Sequence, residues 1–302
     1  MEKFEQIVQE VGQRILKSQE IEITDTHVYK GHESSTIDIT AKNLMQAAIE
    51  MHVPDFEGII RFELRPYSKT LIESHDHVPL VLIIDELDGT TNTKRYLSSA
   101  FQYHPLAAIS IALALTSSLE DLVIGAVYTL DTGDTFSALR FDREQFLAFH
   151  NRQRILPQSI TRTRGDSQSR IMVIGYSNSH RMEKGTLEDA LWHQGFRTYE
   201  GCRASSMDVI SILRNSFDAY IDLRSYWSTK IQGEETEAML QVYDVAGVLP
   251  IAQGCGLKVT DAQGKPWGKY SFDDSIPLVV ARPDIHTRIL NAIRPLVEEW
   301  QA

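Results

Sequence analysis

A chain of 302 residues with a formal charge of −11 is a poor partner for a nucleic-acid backbone, and any anion it binds must be drawn in locally by a cation or a helix end. Its 42% hydrophobic and 24% charged residues supply a sizeable core, and Cys202 and Cys255 form neither a metal-binding spacing nor a disulfide framework. The start, Met1-Glu2-Lys3-Phe4-Glu5, has no basic, apolar leader, and the longest apolar runs, near 79–84 and 106–115, are too short to span a bilayer, so a cytoplasmic chain without a membrane partner is expected.

In chain order, Ile7, Val8, Val11, Ile15 and Leu16 recur at helical spacing and predict an amphipathic helix over the first twenty residues. A second helix is predicted over 41–52, after Ser34-Ser35-Thr36. Strands follow at 58–64, 79–85, 106–115 and 122–129, and Asp131-Thr132-Gly133-Asp134 reads as a hairpin turn between Tyr128 and Phe136. The polar, basic stretch 153–169 is expected to join two halves, 1–152 and 153–302, of one compact unit. The second half alternates: strand 170–175, helices 186–195 and 206–215, strand 217–223, helix 244–255, strand 278–281 and a final helix 283–300. That is an α/β pattern.

One decapeptide carries chemistry: Ile83-Ile84-Asp85-Glu86-Leu87-Asp88-Gly89-Thr90-Thr91-Asn92. It closes an apolar strand with two acids at i and i+3, placed where a strand opens into a turn. Two converging carboxylates repel unless a cation sits between them, and hard Mg²⁺ or Mn²⁺ suits oxygen ligands in company with phosphate. Gly89-Thr90-Thr91 reads as a helix opening, whose N–H groups suit an anion. The plainer alternative is a polar turn, since Asp, Gly and Thr are ordinary turn residues.

The decapeptide resembles the Asp-Pro-Ile/Leu-Asp-Gly-Thr/Ser-x-Asn signature of the inositol monophosphatase superfamily of metal-dependent phosphatases, with Glu86 in the place of proline. A second family motif, Trp-Asp-x-Ala-Gly and a following Gly-Gly-like element, is matched by Tyr243-Asp244-Val245-Ala246-Gly247 and Gly254-Cys255-Gly256. The Gly-Glu-Glu motif upstream survives as Phe62-Glu63-Leu64. The resemblance implies an αβαβα sandwich and a phosphomonoesterase of a small phosphorylated polyol or sugar, working with two or three Mg²⁺ ions (Mn²⁺ as substitute) and forming a homodimer. It implies Glu63, Asp85 and the Leu87 carbonyl around a first metal, and Asp85, Asp88 and Asp244 around a second. Thr90 would neighbour the attacking water, with Glu63 and Asp85 sharing the catalytic work, and the amides of Gly89, Thr90 and Thr91 would cradle phosphate. Asp244 is open to a second reading as a helix cap.

Several positions depart from the pattern. The family's Asp-x-x-Thr-x-x-Asp finds its nearest match in Asp38-Ile39-Thr40-Ala41-Lys42-Asn43, one residue short and ending in an amide, with Asp38 read as a helix N-terminal residue. On the substrate side Arg203-Ala204-Ser205-Ser206 stands where the family has Gly-Ser/Thr-Ala-Ala, and Asp222 takes the acidic position that meets substrate hydroxyls. Arg203 in a glycine's place either adds an anion contact or is a solvated arginine. Insertions at 93–103 and 225–239 flank the expected pocket, the first carrying Lys94, Arg95 and Tyr96. These features keep two alternatives open: a 3′-phosphoadenosine 5′-phosphate or fructose-1,6-bisphosphate phosphatase, and a catalytically weak metal- and phosphate-binding member. His75-Asp76-His77 reads as a solvated turn.

Overall fold

Helical spacing at the N-terminus gives α1 (Glu2–Lys17), which buries Ile7, Val8, Val11 and Ile15. The computed structural model describes residues 1–17, 27–29, 32–34, 36–56, 58–62, 65–67, 80–97, 104–116, 118–143, 145–157, 168–175, 180–227, 230–231, 234–235, 239–272 and 274–301. After α1 come β1 (His27–Tyr29), β2 (His32–Ser34), α2 (Thr36–His52), β3 (Gly58–Phe62), β4 (Arg65–Tyr67), β5 (Leu80–Asp88) and α3 (Thr90–Leu97). The first half continues through β6 (Ala108–Ala114), β7 (Leu122–Thr129), β8 (Thr135–Asp142), β9 (Gln145–His150) and β10 (Gln153–Arg154). One sheet holds these strands in the order β10-β9-β8-β7-β6-β5-β3-β4, with β1 and β2 paired apart from it.

The second half runs β11 (Arg170–Ile174), α4 (Arg181–His193), β12 (Arg197–Glu200), α5 (Ser205–Leu213), β13 (Ala219–Asp222), β14 (Lys230–Ile231) and β15 (Glu234–Glu235). It ends in α6 (Val242–Ala246), α7 (Leu249–Gly254), β16 (Lys258–Asp261), β17 (Leu278–Ala281) and α8 (Pro283–Gln301). The second sheet has the order β12-β11-β13-β17-β16, parallel over its first three strands and antiparallel over the rest.

Strand periodicity sorts side chains into layers. On β5, Leu82 and Ile84 join a core with α1 and α2, whereas Val81 and Ile83 join the one shared with α5, α6 and α7. The second sheet repeats the division: Met172 and Tyr220 face the middle helices, and Ile171, Val173, Ala219 and Ile221 face α4 and α8. The result is helices, sheet, helices, sheet, helices, the layered α/β sandwich that the resemblance implied.

Four differences from the predicted elements bear on the site. Helix α2 begins at Thr36, not at 41, because Ile37 and Ala41 continue the apolar stripe of Met45, Ala48 and Ile49. The single helix predicted over 244–255 is two, α6 and α7, with Pro250 near the start of the second, where its missing N–H costs nothing. The division at 152/153 cuts the β9–β10 hairpin, in which Gln153 pairs with His150. Strands β12 and β16 have no counterpart among the predicted elements: both are short and lie at opposite edges of the second sheet. Among the described residues no helix is long and apolar enough to cross a membrane.

Candidate functional site

The decapeptide ends at a fault in the sheet. Asp85 lies opposite Ser110 and Asp88 opposite Ala108, so three steps along β5 answer two along β6. In a regular strand, residues three apart point to opposite faces. The extra residue of this bulge restores the parity, and Asp85 and Asp88 line the same cavity. Asp85 Oδ1 accepts from the Leu87 N–H at 3.2 Å. Gly89 then turns the chain with φ 96°, and a Cβ there would lie 2.9 Å from the Leu106 carbonyl oxygen, so the turn requires glycine. Helix α3 starts immediately afterwards, and Gly89, Thr90 and Thr91 form one wall of the cavity. Asn92 uses its two amide hydrogens on the carbonyls of Leu106 (2.7 Å) and Cys202 (2.8 Å), tying this wall to the loop before α5.

The cavity, of about 330 Å³, lies where the first sheet meets the middle helices. Asp244 enters from α6, whose approach is set by two glycines: a Cβ on Gly125 would lie 2.3 Å from the Gly247 carbonyl, and one on Gly247 2.2 Å from Ser110 Oγ. Asp244 Oδ2 accepts from the Gln241 N–H at 2.9 Å, so the capping role and the cavity position belong to one side chain. Asp88 spends its oxygens on the first turn of α5, accepting from the Ser205 N–H at 3.0 Å and the Ser206 N–H at 2.6 Å. Burial pushes the Asp88 carboxyl up to about 7 despite those amides, and the charge of Asp208 adds to the shift. Asp244, half-buried but closed in by surrounding protein, is also pushed up to about 7, by burial first and then by the charge of Asp88. Asp208, fully enclosed on α5, reaches about 7 in the same way.

Thr90 corrects the register of the upstream motif. Its hydroxyl donates to Asp38 Oδ1 at 2.7 Å, with the Leu87 carbonyl a longer contact at 3.1 Å. Asp38 is buried at 8% exposure, whereas Asn43, five residues on and so about 140° around the helix, is exposed. Asp38 therefore takes the final place of the Asp-x-x-Thr-x-x-Asp motif, which puts Ser35 at the threonine and His32 at the first aspartate. Thr90 keeps a carboxylate partner.

The substrate side also differs from expectation. Asp222 does not face the cavity: it is fully buried and held by the Arg224 guanidinium, with Nη2 at 2.6 Å and Nε at 2.9 Å, and by the Tyr220 hydroxyl at 3.2 Å. A buried carboxylate needs such a partner, and Arg224 is what the cavity meets instead. Ser205 and Arg203 line the cavity. Arg224, Asp208 and Glu200 line it too; Arg224 closes the Asp222-Leu223-Arg224 element, and nothing local in the sequence marks the other two. Beside it, the Cys202 thiol is pushed far above its usual range by burial and by Asp208, so it stays protonated. Glu63, Leu64, His75-Asp76-His77 and parts of both insertions, 98–103 among them, lie outside the described residues.

Among the described residues, no three His, Cys, Asp or Glu side chains are disposed as a closed metal-holding group. The donor set nevertheless fits hard divalent cations. Asp85, Asp88 and Asp244 share a cavity whose described walls carry no Lys or His, and two of them are raised by burial first and by neighbouring negative charge after it. Each amide bond leaves lone pairs on the accepting carboxylate.

Comparison with known proteins bears on the family and the fold. The family model described as "Inositol monophosphatase family" matches residues 2–298. A curated relative from Archaeoglobus fulgidus, named fructose-1,6-bisphosphatase/inositol-1-monophosphatase, is 24% identical over 222 residues, covering 70% of this chain and 68% of its own. The solved structure of a Thermotoga maritima IMPase superposes with TM-score 0.68 at 18% identity, over 99% of this chain and 100% of that one. The extragenic suppressor protein suhB from Bartonella henselae gives TM-score 0.69 at 18% identity, over 97% and 98%.

Proposed function

Since this chain belongs to the inositol monophosphatase family of phosphatases, we propose that it is a Mg²⁺-dependent phosphomonoesterase of small phosphorylated polyols or sugars. The observation that carries the reading is the cavity in which Asp85, Asp88 and Asp244 stand beside Thr90, itself hydrogen-bonded to Asp38. Asp85, Asp88, Asp244 and the Leu87 carbonyl would hold the metal, with Glu63 completing the set as the resemblance implies. When bound, the cations lower the pKa of water and neutralise charge on the phosphoryl and leaving oxygens.

The chain's own groups supply orientation. With its proton committed to Asp38 Oδ1, Thr90 Oγ1 presents lone pairs to a water and aligns it for attack on phosphorus. Gly89, Thr90 and Thr91 line the cavity at the start of α3, and their amides would suit the phosphate oxygens. The corresponding turn of α5 is engaged by Asp88, which makes that carboxylate a fixed ligand. A homodimer is part of the same reading. The carboxylate of Asp38 beside Thr90 supports this reading over the catalytically weak alternative, for which Glu86 and Leu64 are the remaining departures.

Phosphate release from a panel of phosphomonoesters, with Mg²⁺ and then with excess chelator, tests the proposal. We expect turnover that the chelator abolishes and Mg²⁺ or Mn²⁺ restores. Absence of release from every ester, or release indifferent to chelator, would overturn it.

A further inference from the structure

The end of α5 that points away from Asp88 borders a second cavity, of about 340 Å³. Its walls come from the start of β8, the β9–β10 hairpin and the last residues of α5. Small-molecule clefts begin at about 300 Å³, so a compact ligand fits.

The groups in these walls are fixed by one another. The His150 ring lies flat on Phe136, with centroids 4.6 Å apart and planes at 13°, and its Nε2 meets Asp134 Oδ1 at 3.1 Å. The Arg214 guanidinium stands 5.8 Å from the centre of the Phe136 ring. Its Nη1 donates to Asp131 at 2.6 Å, and its Nη2 donates to Thr129 at 2.9 Å, Thr132 at 2.6 Å and Asp134 at 3.1 Å. Arg214 and His150 thereby occupy both acids, Asp131 and Asp134.

The charge left over is that of Arg154. It is exposed on the cavity wall, and its side chain makes no ion pair or hydrogen bond among the described residues. A neighbouring hollow of about 250 Å³ shares Arg154 and Ile155 and has no acid among its described walls. Phe136 covers one face of the His150 ring, and the histidine side chain is still 44% exposed, which leaves the other face for a ligand. Leu213 and Ile155 add apolar surface. A flat aromatic ring suits the open imidazole face, and an anionic substituent suits the uncommitted guanidinium. A cationic ligand would meet repulsion from Arg154, and an uncharged one would leave it unanswered.

Helix α5 joins this cavity to the first. Leu213 and the C-cap residue Arg214 stand in its wall, while the Ser205 and Ser206 amides at the other end hold Asp88 at 3.0 and 2.6 Å. At 1.5 Å per residue the two ends are about 13 Å apart, with one continuous helix between them.

We propose that this cavity is a second ligand site, for a small planar aromatic anion, and that its occupation is coupled through α5 to the metal ligand Asp88. The coupling rests on the metal reading above; the site itself does not.

The test is calorimetric titration with naphthalene-2-sulfonate, a flat aromatic anion without a phosphate to cleave, first in chelator and then in saturating Mg²⁺. In chelator one saturable site per chain is expected, with inorganic sulfate at least tenfold weaker because it cannot stack. Arg154→Gln should weaken the probe at least tenfold, His150→Ala at least fivefold, and Arg154→Lys by no more than about threefold, since the charge remains. Arg154 is exposed, so its variants keep the fold. No saturable binding, equal binding of sulfate, or a site unaltered in Arg154→Gln would overturn the assignment. By linkage, Mg²⁺ must change the affinity for the probe by the factor by which the probe changes that for Mg²⁺, and about threefold or more is expected. An unmoved affinity in a protein whose phosphate release needs Mg²⁺ would overturn the coupling. Phosphate release indifferent to chelator would instead remove the metal reading on which the coupling rests, and leave the site to stand or fall on the titrations in chelator.

Discussion

Thr90 takes its hydrogen-bond partner from a different helix, and one exchange of side chains separates the two registers of α2. Asp38→Asn replaces a charge-assisted acceptor with an amide and should lower kcat by about 10–100-fold with KM little changed, less than a full general base because Asp38 acts through Thr90. Asn43→Asp, on the exposed side of the helix, should leave both constants within about twofold. Steady-state kinetics of the two variants decides the point: a rate gain in Asn43→Asp, or wild-type kcat in Asp38→Asn, would contradict the register. Asp85, Asp88 and Thr90 were legible because they are neighbours in the chain and their types name a chemistry. Asp38 was in view but misaligned, since a one-residue mismatch in a short motif cannot be settled without knowing which side of the helix is buried. Arg224 stood in view only as the end of Asp222-Leu223-Arg224, with the cavity position expected at Asp222, and Asp208 was not legible at all: it is an ordinary charged residue until the fold encloses it.

At the scale of elements, close backbone approaches fix the site. Helix α6 meets β6 and β7 at Gly247 and Gly125, with no space for a methyl group at either position. Gly125→Ala would push against the Gly247 carbonyl, a backbone atom that yields only if α6 moves and carries Asp244 with it. The expected cost is about 1–3 kcal/mol of stability together with lost activity, read by denaturant melts and phosphate release. Gly185 is the control. It sits inside α4 with nothing within 4 Å of the place a methyl would take, so Gly185→Ala should stabilise by about 0.5–1 kcal/mol through helix propensity and leave activity alone. Equal effects from the two substitutions would show that the packing at Gly125 is not what places α6. The sequence pattern made most helices and central strands readable, because α1 carries a sustained helical period and β5 a continuous apolar run. The bulge that brings Asp85 and Asp88 to one face has no such mark, and neither has the break between α6 and α7 beyond Pro250.

Across the whole molecule, three apolar cores stack between five layers, and the cavity opens where the end of β5 and the middle helices converge. That stacking depends on contacts between residues far apart in the chain, such as Asp88 with Ser205 and Ser206, and no local period encodes it. Resemblance supplied the sandwich. The cavity's electrostatics then link folding to the proposed metal. A carboxyl raised from 3.8 to about 7 in the folded protein binds its proton more tightly there than in the unfolded chain. Its contribution is therefore most favourable below pH ~4 and declines as pH rises toward ~7, leaving repulsion between Asp88 and Asp244 in the metal-free protein above that range.

Asp244→Asn removes that repulsion and one metal ligand at once, while its side-chain oxygen can still accept the Gln241 N–H. Its activity and its metal-free melting temperature should accordingly move in opposite senses. The decisive measurement is a Mg²⁺ titration of phosphate release at pH 8, paired with a melt in chelator. We predict at least a hundredfold loss of turnover, about 2.7 kcal/mol of transition-state stabilisation, that added Mg²⁺ does not recover, together with a melting temperature no lower than wild type. Wild-type turnover at saturating Mg²⁺ would contradict the placement of Asp244 among the metal ligands and with it the account of this cavity as a metal-dependent phosphatase centre.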